Sequence, residues 1–224
     1  MSSEDIKILY ENEMYVVCIK PSGITSEDGR VFGMPSLLGG GKPYFTVHRL
    51  DREVSGVMVY AKTKASAAAL SRQVANGELL KKYYAVLKGE LPKEGRLEDL
   101  LFKDSAKNKT FVVKRQRAGV KQAALEYSLL SEAYIGGDAF SLVKIVLLTG
   151  RTHQIRVQFA SRKHPVFGDR KYGSDITGGF GLFSCYLSFI DPLTKKGLYL
   201  RLIRRNVRRG IRLTFSQKIH KITH

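Results

Sequence analysis

Residues 140–163 read FSLVKIVLLTGRTHQIRVQFASRK. Successive side chains of a strand point to opposite faces. From Phe140 to Leu148 this puts Ser141, Val143, Ile145 and Leu147 on one face and Phe140, Leu142, Lys144, Val146 and Leu148 on the other. Both faces are mostly apolar, which predicts an internal strand covered on two sides. Thr149 and Gly150 end it. The following RTHQIRVQFASRK predicts a helix with Ile155 and Phe159 on a shared face.

Upstream, TFVVKRQ and AALEYSLL read as further strands of a large, mainly antiparallel sheet, and KKYYAVLKG as another. In the last of these, Tyr83 and Tyr84 must face opposite ways, so at most one is expected in the core. Thr63 is expected to cap a helix over KASAAALSRQVANG, with Ala67, Leu70 and Val74 on one face and Gly77 as the stop. Before it, Val57 to Tyr60 predicts a strand behind the polar run HRLDREVSG. The opening predicts two short strands, Ile6 to Tyr10 and Tyr15 to Ile19, and a turn at Pro21, Ser22 and Gly23. Gly33 to Pro43, GMPSLLGGGKP, reads as a glycine-rich loop. It lacks both G-x-G-x-x-G and a phosphate-loop lysine, so no nucleotide cofactor is assigned to it. Downstream, CYLSFIDP and GLYLRLI are two more strand candidates. From Arg201 onward there are eight Lys or Arg residues and no acid, which reads as a basic C-terminal segment, 201–224, either solvated or RNA-contacting.

The composition narrows the function. Lys and Arg total 38 against 20 Asp and Glu, a formal charge of +18, and such an excess attracts a polyanion and releases its counterions on binding. Nucleic acid is the expected partner class. No apolar run approaches the ~20 residues of a membrane span, and the acidic N-terminus lacks an export-signal pattern. Cys18 and Cys185, the two cysteines, fit a reducing cytoplasm. No linker or internal repeat divides the chain. A single domain over 1–224 is expected, large enough to comprise two sheet-sharing subdomains.

Four stretches occur in order: HRLDREVSG at 48–56, KKYYAVLKG at 81–89, LLTGRTHQIR at 147–156 and HPVFGDRKYG at 164–173. Together they closely resemble the catalytic core of the RluA-type pseudouridine synthase family, and ILYENEMYVVCIKPSG at 8–23 resembles that family's start. The match runs from about Ile8 to Leu200. The resemblance implies an α+β fold on a long, bent, mainly antiparallel sheet flanked by helices. It implies cleavage of a uridine N-glycosidic bond in structured rRNA or tRNA and reattachment of the uracil through carbon. It implies no metal and no cofactor; no obligatory protein partner is expected, and a monomer is the default. The separate N-terminal RNA-binding domain of some relatives is not expected here.

Read from the residues alone, Asp51 is a turn cap or a counter-charge to Arg49 and Arg52. The resemblance makes it the essential carboxylate, acting by nucleophilic attack on base or ribose or by supporting a glycosyl-cation-like or glycal route. It also implies that Tyr83 stacks on the target base and that Arg151 pairs with Asp51 to keep it ionised. Arg49, Arg52, Arg156 and Lys171 become RNA contacts, with Arg49 placed to hold open the helix beside the target. His48, His153 and Gln154 become organisers of the cleft through hydrogen bonds. A zinc site from His48, His153 and His164 has no suitable spacing and no cysteine to complete it. Val54, Phe183, Ser184 and Asp191 depart from the family pattern, where a threonine, a His-Ala pair and a histidine are common. The rival reading is a noncatalytic RNA-binding or ribosome-assembly protein that keeps the fold.

Overall fold

The computed structural model describes residues 6–39, 43–205 and 214–221, with side chains described through residue 202. The chain forms two compact units, Met1–Lys81 with Ser184–His224, and Lys82–Phe183.

In the first unit, β1 (Ile8–Glu11), β2 (Tyr15–Lys20), β4 (Ser55–Ala61) and β10 (Leu182–Ile190) are neighbours in that order. The hairpin β11 (Gly197–Arg205) and β12 (Thr214–Lys221) continues from β10, and the two-residue β3 (Phe45–Thr46) lies on β4. The basic C-terminal segment expected to be solvated or RNA-contacting is thus in part a strand pair; residues 206–213 and 222–224 lie outside the described residues. Gly56 permits the close approach of β4 to β10. A Cβ there would fall 2.3 Å from the Ser184 carbonyl oxygen, and its φ of +132° already favours glycine. Ser184, one of the departures from the family pattern, is buried and donates to Val57 O at 3.2 Å. Asp191, another, accepts from the Tyr15 hydroxyl at 2.9 Å and from Leu193 N at 2.8 Å, so it builds the turn after β10. Val54 is buried and retains branched packing.

Helix α2 (Lys64–Ala75) starts at Thr63 through a reciprocal capping box with Ser66. Its buried residues are Ser66, Leu70 and Gln73, with Ala67 and Val74 half-buried beside them. Gln73 is tolerated inside because its amide pairs with both backbone groups of Ile190, at 2.7 and 2.8 Å. The stretch read as a glycine-rich loop contains a six-residue helix, α1 (Met34–Gly39); residues 40–42 lie outside the described residues.

The second unit runs in the order β5 (Leu80–Lys88), β9 (Asp138–Leu147), β8 (Val120–Ile135), β6 (Glu94–Asp104) and β7 (Lys109–Val113). β9 is internal, flanked by β5 and β8, as its two apolar faces require. Helix α3 (Gln154–Ala160) covers one face: Val157 and Tyr172 pack with Leu101 and Ala123, and Phe159 meets Tyr127 edge to face at 5.4 Å. A short 3-10 helix follows at Arg170–Tyr172. Every pairing described is antiparallel and helices are few, which makes this an α+β protein.

Candidate active site

The Asp51 turn belongs to the first unit, and its backbone is fixed on both sides of the acid. Ser26 Oγ donates to Leu50 O at 2.7 Å and accepts from Leu50 N at 3.0 Å. On the other side, Arg52 O accepts from Gly23 N at 2.8 Å and from the Lys20 ammonium at 3.1 Å. Val54 N closes the turn onto Asp51 O at 3.1 Å. Asp51 itself is half-buried.

Lys20 is fully buried and donates also to Pro21 O at 2.8 Å and Ile24 O at 2.7 Å. Three carbonyls thus take up the three ammonium hydrogens. Burial pushes its pKa down to about 8, while the charges of Glu53 and Asp51 push back up and Arg52 adds to the depression. The sequence reading missed both Lys20 and Ser26. The lysine's place just before the Pro-Ser-Gly turn, at the end of an apolar strand, was the available signal.

His48 is buried, and its Nε2 accepts from Val59 N at 3.1 Å. Burial and the charge of Lys81 push its pKa down to about 3, so the ring is neutral and the accepting Nε2 leaves the proton on Nδ1. It holds the start of the turn and has no proton to trade near neutral pH. Arg49 is 59% exposed in its side chain and pairs with Glu27 at 3.1 Å, a surface contact of small worth. Arg52 donates through Nε to Gly23 O at 2.8 Å and is otherwise exposed.

The Thr149–Gly150–Arg151 turn belongs to the second unit and is gathered by one side chain. Gln154 Oε1 accepts from Thr149 Oγ1 at 2.8 Å and from Arg151 N at 3.0 Å, and its Nε2 donates to Ala124 O at 3.0 Å. Arg151 is exposed and donates through Nε to Gln122 O at 2.8 Å. His153 precedes α3 with φ of +53°, a left-handed conformation rare outside glycine and costing on the order of 1 kcal/mol. Its Nδ1 lies 2.8 Å from the Tyr172 hydroxyl, which accepts from Thr110 N at 2.8 Å.

Two expectations are corrected. Arg156, expected on RNA, is buried and forms a two-pronged pair with Asp169 at 2.7 and 2.8 Å, its guanidinium lying over the Tyr172 and Phe180 rings. It is a strut of the fold, since a guanidinium so enclosed is not offered to a phosphate. Tyr83 and Tyr84 are both buried, at 5% and 7% exposure, although at most one was expected to be. Tyr83 shares a face with Ile145 and Tyr127, the face covered by Phe159 of α3. Lys171 is exposed and donates to Asn108 O at 2.8 Å. Among the described residues no three His, Cys, Asp or Glu side chains converge on a metal position, and no helix is long and apolar enough to cross a membrane.

A family described as RNA pseudouridylate synthase matches residues 14–161. An RNA pseudouridine synthase of Mycoplasma pneumoniae is 34% identical over 204 residues, covering 85% of this chain and 64% of the relative. One of Aquifex aeolicus is 36% identical over 184 residues, covering 75% and 56%. A ribosomal large subunit pseudouridine synthase C of Buchnera aphidicola is 32% identical over 212 residues, covering 87% and 66%. The chain therefore spans two thirds or less of the length of these curated relatives. Among solved structures, human RNA pseudouridylate synthase domain containing 1 superposes with a TM-score of 0.78 at 22% identity, over 100% of this chain and 92% of that one. Its domain containing 4 counterpart gives 0.70 at 23% identity over 87% of each. These two likenesses concern the fold.

Proposed function

This chain belongs to the RNA pseudouridylate synthase family, and on that footing we propose that it isomerises uridine to pseudouridine in structured RNA, with Asp51 as the catalytic carboxylate. The observation that carries the assignment is the build of the turn. Leu50 and Arg52 are tied down through their backbones by Ser26 and Lys20, while the acid between them remains half-exposed. A reacting group needs that combination of a fixed base and a reachable tip.

The reaction breaks the N1–C1′ bond of uridine and makes a C5–C1′ bond. C5 loses a proton and N1 gains one, so no oxidant or second substrate enters the balance. An ionised Asp51 serves either as the nucleophile toward base or ribose or as the charge that supports a glycosyl-cation-like or glycal intermediate. Tyr83 and Arg151 complete the proposed set. Tyr83 is 5% exposed, so its proposed part is a small contact with the target nucleoside rather than a broad stacking surface. The Arg151 guanidinium spends Nε on Gln122 O, and its two Nη groups are proposed as the counter-charge to the Asp51 carboxylate. Arg49 and Arg52 are proposed to hold the RNA beside an extruded uridine, the extrusion being the cost of reaching an atom inside a stack.

The Buchnera relative's name makes large-subunit ribosomal RNA the first candidate substrate, with transfer RNA the second, and the cytoplasm is the proposed place of action. The test is pseudouridine mapping of cellular RNA with and without the gene, followed by reconstitution of each lost position with purified protein. Asp51→Asn should cut turnover by at least about a thousandfold while leaving the fold and most RNA affinity in place. Turnover near that of the unaltered protein would end the assignment.

A further inference from the structure

Residues 103–121 carry seven Lys or Arg against the single acid Asp104. They form the turn between β6 and β7, the strand β7 at the end of the second unit's sheet, and the approach to β8. Elsewhere some cations are paired with acids: Lys62 meets Glu11, Lys88 meets Asp175, Arg96 meets Glu98 and Arg162 meets Asp99. On this hairpin Lys103, Lys107, Lys114, Arg115 and Lys121 are exposed or nearly so, and none forms an ion pair among the described residues. Asp104 offers no relief, because its Oδ1 accepts from Lys107 N at 3.0 Å in shaping the turn.

The remaining two cations rest on rings. Arg117 lies over Phe102 at 4.7 Å, and Lys109 over Tyr172 at 5.1 Å. Lys171 ties the 3-10 helix to the hairpin tip through Asn108 O and brings Arg170 to the same end. Clustered like charges repel, so seven cations within nineteen residues beside one acid fit an anionic partner.

We infer that the β6–β7 hairpin and the segment leading into β8 are a second RNA-contacting surface, which grips the phosphate backbone of the substrate. The inference rests on the RNA-modifying reading above and adds a positioning surface to it. Its residues contact phosphates, not the reacting base. They therefore set affinity and register and leave the chemical step alone.

The test uses the full chain carrying Lys114→Ala with Arg115→Ala, two exposed positions outside the core. A fluorescent RNA hairpin with a uridine-containing loop is titrated between 50 and 300 mM salt. Each phosphate contact contributes about −0.7 to −0.9 to the slope of log affinity on log salt. The double variant should flatten that slope by about 1.5 and weaken binding about tenfold near 100 mM salt. Lys114→Arg with Arg115→Lys should restore both, and Lys64→Ala with Arg72→Ala on α2 should change neither. An unchanged slope in the hairpin variant overturns the inference. So does an equal change in the α2 variant, or a loss of binding to phosphatidylserine vesicles with RNA binding intact. Pseudouridine formation is read in parallel. A protein that needs the hairpin for RNA binding yet forms no pseudouridine would sink the catalytic reading and leave this surface standing, and the reverse pattern would do the opposite.

Discussion

The Asp51 turn and the Thr149–Gly150–Arg151 turn are both held through backbone atoms, yet a buried cation holds the first and a buried amide the second. The Asp51 side presents carbonyls, from Pro21, Ile24 and Arg52, and a lysine with three hydrogens and no acceptor is the side chain that matches them. The Arg151 side presents a hydroxyl, an N–H and a carbonyl, and only a group that both accepts and donates can take all three, as Gln154 does. The choice has an electrostatic consequence. Lys20 sits in the field of Asp51 and Glu53, whose charges favour its protonated, three-donor form. Gln154 contributes geometry alone.

The largest expected effect tests whether buried charge is as important in the second unit as in the first. Arg156→Ala strands Asp169, which is 1% exposed, and should cost about 3–5 kcal/mol in urea unfolding. Replacing both partners, Arg156→Met with Asp169→Leu, should return most of it, because an apolar pair leaves no charge in the interior. A loss below about 1 kcal/mol for the single variant would mean the pair is not a strut. Next comes Lys20→Met, which leaves three buried carbonyls without their donor and should cost about 2–4 kcal/mol. Its turnover should fall far less than that of Asp51→Asn, since Gly23 and Ser26 still hold the turn; a fall of equal depth would put Lys20 in the chemistry. Gln154→Ala is smaller, about 1–3 kcal/mol, and should raise the KM for RNA by loosening the Arg151 backbone. An unchanged KM would mean that the turn holds its shape without the amide.

The same comparison explains what could be read from the chain beforehand. β9 was legible because it is apolar on both faces, and α2 because Thr63 and Gly77 mark its ends by local chemistry. β6 escaped: along Glu94–Asp104 only Leu97 and Leu101 are buried, so a strand of period two shows apolar residues four apart. α1 hid behind Pro35 and the glycines after it, and β12 behind a basic sequence whose pairing with β11 is a long-range fact. Lys20 and Arg156 were opaque for a related reason. A sequence displays a charge but not the carbonyls or the Asp169 that fold against it. Asp51 had only a generic meaning until its motif was compared with a family, because the burial of its neighbours leaves no periodic trace in the eight residues between β3 and β4.

His48 gives the smallest effect per step and the one with a defined sign. Its folded pKa is depressed to about 3 by burial and by Lys81, whereas the unfolded ring titrates near its ordinary 6.5. Above pH 6.5 both states are neutral and the ring's contribution is fully present. Below 6.5 the unfolded chain takes up a proton that the folded one refuses. Stability then falls by at most about 1.4 kcal/mol per pH unit toward the folded pKa. His48→Asn keeps an acceptor for Val59 N but does not titrate, so its urea midpoint should start lower at pH 7 and then run flatter between pH 6.5 and 4.5. Parallel curves for the two proteins would mean that His48 gains its proton without unfolding. The Asp51 turn would then begin at a residue far less enclosed than its Val59 contact and burial require.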